Sequence, residues 1–290
     1  MTTSNIVRQQ FVHRGLRLSY LDSAPGDARR PVILLLHGFP DEAAMWIPII
    51  PGLHAAGFRV LAADTVGCGQ SEMATRRDGY DIFRIVGDVV ALLDQLGVQQ
   101  AQIAGHDWGA VLAWFLAMHQ PQRVQRLCVM SVGHPAAYVG AGLRQKLMGW
   151  YIVYFHMAGL SERLLMGRGW FSLRRVFGSH PEMESVMDRL RNPGRLTAAL
   201  RIYRANIFQH VLFGRHPRVR CPVLGLYSVG DAFLDAGQMR DSQHWVDSDF
   251  SYVALAGGHW LPLEQLQRVQ TLMLEHFAAG DAAADTNKPD

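Results

Sequence analysis

Residues 105 to 109 read Gly105-His106-Asp107-Trp108-Gly109. Small residues flank a central carboxylate, so the backbone can bend sharply and expose that side chain. The run before it, Gln102-Ile103-Ala104, suits a buried strand, and Ala110 to His119 after it has helical composition. Strand, sharp turn and helix are the setting of a nucleophile elbow. A serine at its centre would point to ordinary ester hydrolysis. A carboxylate can form an alkyl ester directly, without a base to deprotonate it, so Asp107 points to attack on a saturated carbon. The competing reading is a glycine-bounded turn with a solvated Asp.

Three other segments reduce that competing reading. Val32-Ile33-Leu34-Leu35-Leu36 has the pattern of a buried parallel strand and ends in His37-Gly38-Phe39-Pro40. A tight loop there can place the backbone N–H of Phe39 beside that of Trp108, a two-donor oxyanion hole. Far downstream, Tyr252 to Ala256 reads as a short strand followed by Gly257-Gly258-His259-Trp260, which puts His259 on a Gly-rich loop as a general base. Between them, Val223 to Ser228 leads into Val229-Gly230-Asp231. Asp231 is favoured over Asp235 as the acid because it follows the strand directly. The chain order is nucleophile, acid, histidine.

On these motifs the sequence resembles an α/β-hydrolase of the epoxide hydrolase and haloalkane dehalogenase branch, over nearly the whole chain. His37-Gly38-Phe39-Pro40, the Asp107 pentapeptide and Gly258-His259-Trp260 all resemble epoxide hydrolase motifs. The resemblance implies a mostly parallel sheet flanked by helices, an inserted helical lid, covalent chemistry without a cofactor, and a small hydrophobic epoxide as substrate. Within the lid, Trp150-Tyr151-Ile152-Val153-Tyr154-Phe155 and Gly159-Leu160-Ser161-Glu162 resemble the first tyrosine-bearing lid helix of epoxide hydrolases. Leu200 to Asn206 resembles the second. Tyr151 and Tyr203 are then the two phenols that stabilise the alkoxide as the ring opens, neutral at pH 7 and able to donate. Tyr154, three residues from Tyr151 on a similar helix face, competes for its role. His37, Phe39, Trp108 and Tyr154 are the expected substrate-binding residues.

A haloalkane dehalogenase would keep Asp107, His259 and Asp231 but must hold a departing halide. The Trp108 indole could supply one N–H. The second donor is often an asparagine where this chain has Phe39, so Trp150 or Trp170 would have to replace it. Fluoroacetate dehalogenases carry arginines after the nucleophile, where this chain has Trp108, Val111 and Trp114. A non-catalytic ligand receptor on the same fold remains a further alternative, although binding alone needs no nucleophile.

The elements that must position these residues follow from pattern. Val7 to Asp22 alternates around Arg14-Gly15 as a hairpin, Asp41 to Ala56 reads as helix, and Phe58 to Ala63 reads as strand. Asp81 caps a helix with apolar residues at helical spacing, ending at Gly97, and Val124 to Ser131 is a further strand. Alternating strands and helices imply a parallel sheet, with ligands outside the carboxyl ends of its strands. Residues 1–135 and 212–280 form the core, 136–211 the lid, and 281–290 a disordered tail. The lid has ten Arg and one Lys against four acidic residues. A solvated helical surface is the simpler explanation, and attraction of an anionic or amphipathic epoxide is the sharper one.

The 290 residues, 49% hydrophobic, can bury a large core. A net charge of +3 without a Lys/Arg run gives no nucleic-acid signal. Three unpaired cysteines suit a reducing cytoplasm, and thirteen scattered histidines lack metal-ligand spacing. Cys68, in the glycine-rich loop after the Phe58 strand, is expected to pack rather than react. No stretch approaches a membrane span. The oligomeric state stays open, a homodimer included.

Overall fold

Continuous apolar runs become the centre of a sheet covered on both faces. The computed structural model describes residues 6–279, and the tail expected to be disordered lies outside them. Eight strands run in chain order: β1 (Val7–His13), β2 (Leu16–Asp22), β3 (Val32–Leu36), β4 (Arg59–Ala63), β5 (Ala101–His106), β6 (Val124–Met130), β7 (Val223–Ser228) and β8 (Phe250–Leu255). They form one sheet in the order β1-β2-β4-β3-β5-β6-β7-β8. β1 and β2 make the antiparallel hairpin, β2 pairs antiparallel with β4, and every pair from β4 to β8 is parallel. Every residue of β3, β4, β5 and β7 is buried, as a parallel sheet walled by helices requires. Alternation sends Leu34 and Leu36 to one face and Ile33 and Leu35 to the other.

The helices of the core are α1 (Ile50–Ala55), α2 (Ile82–Gln95) and α3 (Trp108–His119). Between β6 and β7 come α4 (Pro135–Gly140), α5 (Leu143–Met148), α6 (Trp150–Phe155), α7 (Leu160–Leu165), α8 (Leu173–Val176), α9 (Met183–Leu190) and α10 (Arg195–Asn206). α11 (Ala236–Arg240) follows β7, and α12 (Leu261–Glu264) and α13 (Leu266–Ala278) follow β8. α2, α3 and the inserted helices pack on one face, α1 and α13 on the other. The Asp81 carboxylate accepts from the N–H of Phe83 to cap α2, as its sequence indicates. The stretch from Asp41 to Ala56 departs from expectation. It is a short 3-10 turn (Ala43–Trp46) and then α1, not one helix. Pro48 and Pro51 lack the N–H groups that a continuous helix would use there. Among the described residues, no helix is long and apolar enough to cross a membrane.

Several histidines are buried without charge. Burial pushes His106 and His276 down to about 4 and His134 to about 3. His134 Nδ1 accepts from Ala136 N–H, and its Nε2 lies 3.1 Å from the Pro217 carbonyl. All three values fall below the ordinary 6.5, so between 6.5 and 4 the unfolded chain binds more protons than the folded one. The stability these groups carry is full above 6.5 and is lost as pH falls through that window. His259 shifts the other way, and because it is protonated in both states below 6.5 it offers no compensation there. The urea midpoint followed by circular dichroism should therefore drop between about pH 6.5 and 4. An unchanged midpoint would show these rings to be solvated.

Candidate active site

β5 delivers Asp107 at its carboxyl end, where φ is 53° and ψ is −121°. A non-glycine residue at positive φ is strained, and the turn persists because its neighbours pack it tightly. A Cβ on Gly105 would lie 2.2 Å from the Gly109 carbonyl oxygen, and one on Gly109 would lie 2.0 Å from that of Leu36. Only glycine fits at either end of the elbow. α3 begins at Trp108, whose N–H belongs to the first turn and so has no partner within the helix.

Two partners flank the Asp107 carboxylate. The Phe39 N–H donates to Oδ1 at 2.7 Å. His259 Nε2 stands 3.6 Å from Oδ2. His259 Nδ1 lies 2.8 Å from Asp231 Oδ2, while Asp231 Oδ1 accepts from the N–H groups of Phe233 and Leu234. Burial opposes charge on both members of that pair, but their attraction prevails. Asp231 stays below the ordinary carboxylate value, and His259 is lifted to about 10 by Asp231 and Asp107 together. Asp235 is occupied elsewhere, capping α11 through the Gly237 N–H and pairing with Arg144. The His259 ring thus sits between the acidic side chains of Asp107 and Asp231.

The other wall comes from the inserted helices. A cavity of about 460 Å³ is lined by Asp107, Trp108, Tyr138, Tyr151, Tyr203 and apolar side chains that include Ile152, Ile207 and Val211. Tyr151 of α6 and Tyr203 of α10 have ring centroids 6.3 Å apart. Burial, and then nearby anionic groups, hold both phenols well above 10, so they remain protonated donors. Tyr154 does not line this cavity. Its hydroxyl donates to the carbonyls of Phe171 at 3.1 Å and Ser161 at 3.3 Å, bracing α6 against the segments around it. Of the expected substrate-binding residues, Tyr154 is thus one the structure does not bring to the Asp107 cavity. His37 also stands apart from Asp107. It lines a second cavity of about 370 Å³ on the far side of Phe39 and Trp108, and its Nε2 accepts from the Thr65 N–H.

Other expectations also resolve. Trp150 and Trp170 are exposed, so neither supplies a second indole N–H to the Asp107 cavity. Apart from Asp107, no charged residue lines it, which removes the lid arginines from any direct hold on an anionic epoxide. They serve other ends: Arg204 pairs with Glu162, and Arg195 donates to the carbonyls of Gly67 and Ser71. Burial lifts the Cys68 thiol to about 11, as suits packing.

Sequence reasoning missed two contributors. His106 Nε2, 2.8 Å from the His259 carbonyl oxygen, props the loop that carries the base. Tyr138 adds a third phenol to the cavity, and burial raises it to about 12. Neither has a sequence signal beyond adjacency: His106 beside the nucleophile, Tyr138 just inside the insertion.

The α/β hydrolase fold family matches residues 31–266. Epoxide hydrolase 4 of Homo sapiens is 29% identical over 276 residues, spanning 89% of this chain and 75% of that protein. Epoxide hydrolase 3 of Xenopus tropicalis is 30% identical over 280 residues, with 89% and 74% covered. The crystal structure of epoxide hydrolase A from Mycobacterium thermoresistibile superposes with a TM-score of 0.78 at 25% identity, over 94% of this chain and 98% of that one.

Proposed function

The chain belongs to the α/β hydrolase fold family and is a hydrolase, and from that premise we propose that it opens a small hydrophobic epoxide to a vicinal diol through an ester on Asp107. One observation carries this reading: the Asp107 carboxylate faces a neutral, apolar cavity in which two protonated phenols, Tyr151 and Tyr203, stand across from it. Names borne by the relatives agree with it. The inserted helices act as its lid.

In the first step Asp107 Oδ2 attacks an epoxide carbon from the side opposite the C–O bond. That bond breaks, and Tyr151 and Tyr203 hydrogen-bond the departing oxygen. The new ester removes one of the two carboxylates that hold His259 near 10, so its proton becomes labile and balances the one the alkoxide takes up. His259, oriented by Asp231, is then the base for a water that attacks the ester carbon. Oδ1, already bonded to the Phe39 N–H, carries the developing negative charge with the Trp108 N–H beside it. Collapse releases the diol and restores carboxylate and imidazolium. A positioned base contributes about 10²–10⁴-fold, and one oxyanion donor about 10²–10³-fold.

Styrene oxide should yield its diol, while 1-bromobutane and 1,2-dibromoethane release little bromide. Phe39 has no side-chain N–H and both lid tryptophans face solvent, so a halide would find no second indole N–H beside that of Trp108. Chromatography of the diol and a bromide assay decide it. Rapid bromide release without diol would overturn the proposal.

A further inference from the structure

Three consecutive helices of the insertion turn apolar pairs to the outside. α5 exposes Leu143 and Leu147, one helical turn apart, while Gln145 between them is buried. α6 exposes Trp150 and Val153 and buries Tyr151, Tyr154 and Phe155 behind them. α7 exposes Leu160 and Leu164 over buried Ser161 and Leu165. The segment after α7 adds Trp170, 82% exposed, and Phe171, whose ring centroid is 6.1 Å from that of Trp150. The Tyr154 hydroxyl ties α6 to α7 through the Ser161 carbonyl and to the segment after α7 through that of Phe171. Single exposed apolar residues are ordinary, whereas a contiguous patch marks a contact surface.

Cations border the same patch. Lys146, Arg163 and Arg168 are exposed, and among the described residues none has an acidic partner, in contrast to the paired Arg144 and Arg174. The Arg175 guanidinium stacks on Trp170, 5.2 Å from its centroid. We infer that this face of the lid seats on an anionic lipid surface, with Trp150, Trp170 and the leucines entering the headgroup boundary and the cations meeting the phosphates.

Charge decides between a lipid and a second copy of the chain. The insertion carries ten Arg and one Lys against four acids, whereas the whole chain is only +3, so the remainder is net acidic. Symmetric pairing of this face would set two basic surfaces against each other. An anionic bilayer attracts the lid and repels the rest, which also orients the molecule. Tryptophan and arginine interleaved with leucine are the composition of interfacial segments. α6 contributes Trp150 to the outer face and Tyr151 and Ile152 to the Asp107 cavity. If the epoxide reading holds, an apolar substrate dissolved in the bilayer meets the lid directly. The seating itself does not depend on that reading.

Flotation of the full chain with vesicles tests the inference without any substrate. Vesicles of phosphatidylcholine with phosphatidylglycerol should carry the protein up the gradient, pure phosphatidylcholine vesicles should carry little, and added salt should release it. Each cation near an anionic surface raises binding roughly fivefold, so R163E/R168E should lose at least about 25-fold. L147S/W170S should also fall to the level of neutral vesicles, with the circular dichroism of both variants unchanged. No flotation of the wild type, or flotation of both variants equal to it, overturns the inference. So does a concentration-dependent dimer that L147S/W170S abolishes in a protein indifferent to vesicles, since a second copy would then cover the face.

Discussion

Replacing His259 with Gln is expected to leave a protein that alkylates itself on Asp107 and cannot release the product. The nucleophile is a carboxylate, so ring opening does not require the imidazole as a base, and without it the alkoxide takes its proton from water instead. Ester hydrolysis does. His259 Nε2 is 3.6 Å from Asp107 Oδ2, beside the carbon that the water must attack, and Asp231 holds the other ring nitrogen at 2.8 Å. Glutamine fills similar space and takes no proton. Steady turnover should fall by about 10²–10⁴-fold, while intact-protein mass spectrometry after epoxide addition shows a gain of one substrate mass on the peptide containing Asp107. Asp107→Asn in the same background should abolish the gain. If the wild type makes diol and His259→Gln accumulates nothing across a broad epoxide panel, Asp107 is not the nucleophile.

The phenol pair should produce the next largest effect, confined to the other half of the reaction. With Tyr151→Phe or Tyr203→Phe one donor remains. Losing one hydrogen bond in a dry cavity costs about 1–3 kcal/mol, roughly 5- to 150-fold in the alkylation rate. The double variant leaves the developing alkoxide without a protonic partner and should lose far more than either single change. Hydrolysis of the preformed ester should hardly change, because it uses Phe39, Trp108, His259 and Asp231. Stopped-flow tryptophan fluorescence, with Trp108 5.0 Å from Tyr203 between ring centroids, can separate the two steps. Tyr154→Phe is the control. Its hydroxyl serves the carbonyls of Ser161 and Phe171, so its loss should cost lid stability and spare alkylation. The reverse outcome, a slow Tyr154→Phe and a normal Tyr151→Phe, would exchange their roles.

What the sequence could and could not disclose follows from how local each signal is. The elbow, the loop before Phe39 and the loop around His259 were legible because each is a few residues of fixed type at a strand end. Of the all-buried strands, β3 was legible as an unbroken apolar run and β4, β5 and β7 as mostly apolar ones. Tyr151 and Tyr154 were not separable, being three residues apart on one short helix. What distinguishes them is the position of carbonyls at 161 and 171, which depends on how the chain returns after α7. His106 escaped notice for a similar reason, since its partner is a backbone carbonyl 153 positions away. By type alone Trp150 and Trp170 could supply a second indole N–H, and only packing shows them outside.

The bond from the Phe39 N–H to Asp107 Oδ1 exists before any substrate arrives. In an enzyme that cleaves a substrate's own carbonyl, each new molecule must bring its oxygen into the donors and be recognised there. Here the oxygen that receives the donors is part of the chain, and its place was set when the elbow folded. On the proposed mechanism every epoxide, whatever its substituents, would become the same kind of ester at the same coordinates. Discrimination among substrates, and between the two ends of one ring, would then be exercised once, at ring opening, by walls such as Tyr138, Ile152, Ile207 and Val211. Those walls are free to diverge without disturbing the machinery that turns the molecule out, which lets one catalytic frame serve many different guests.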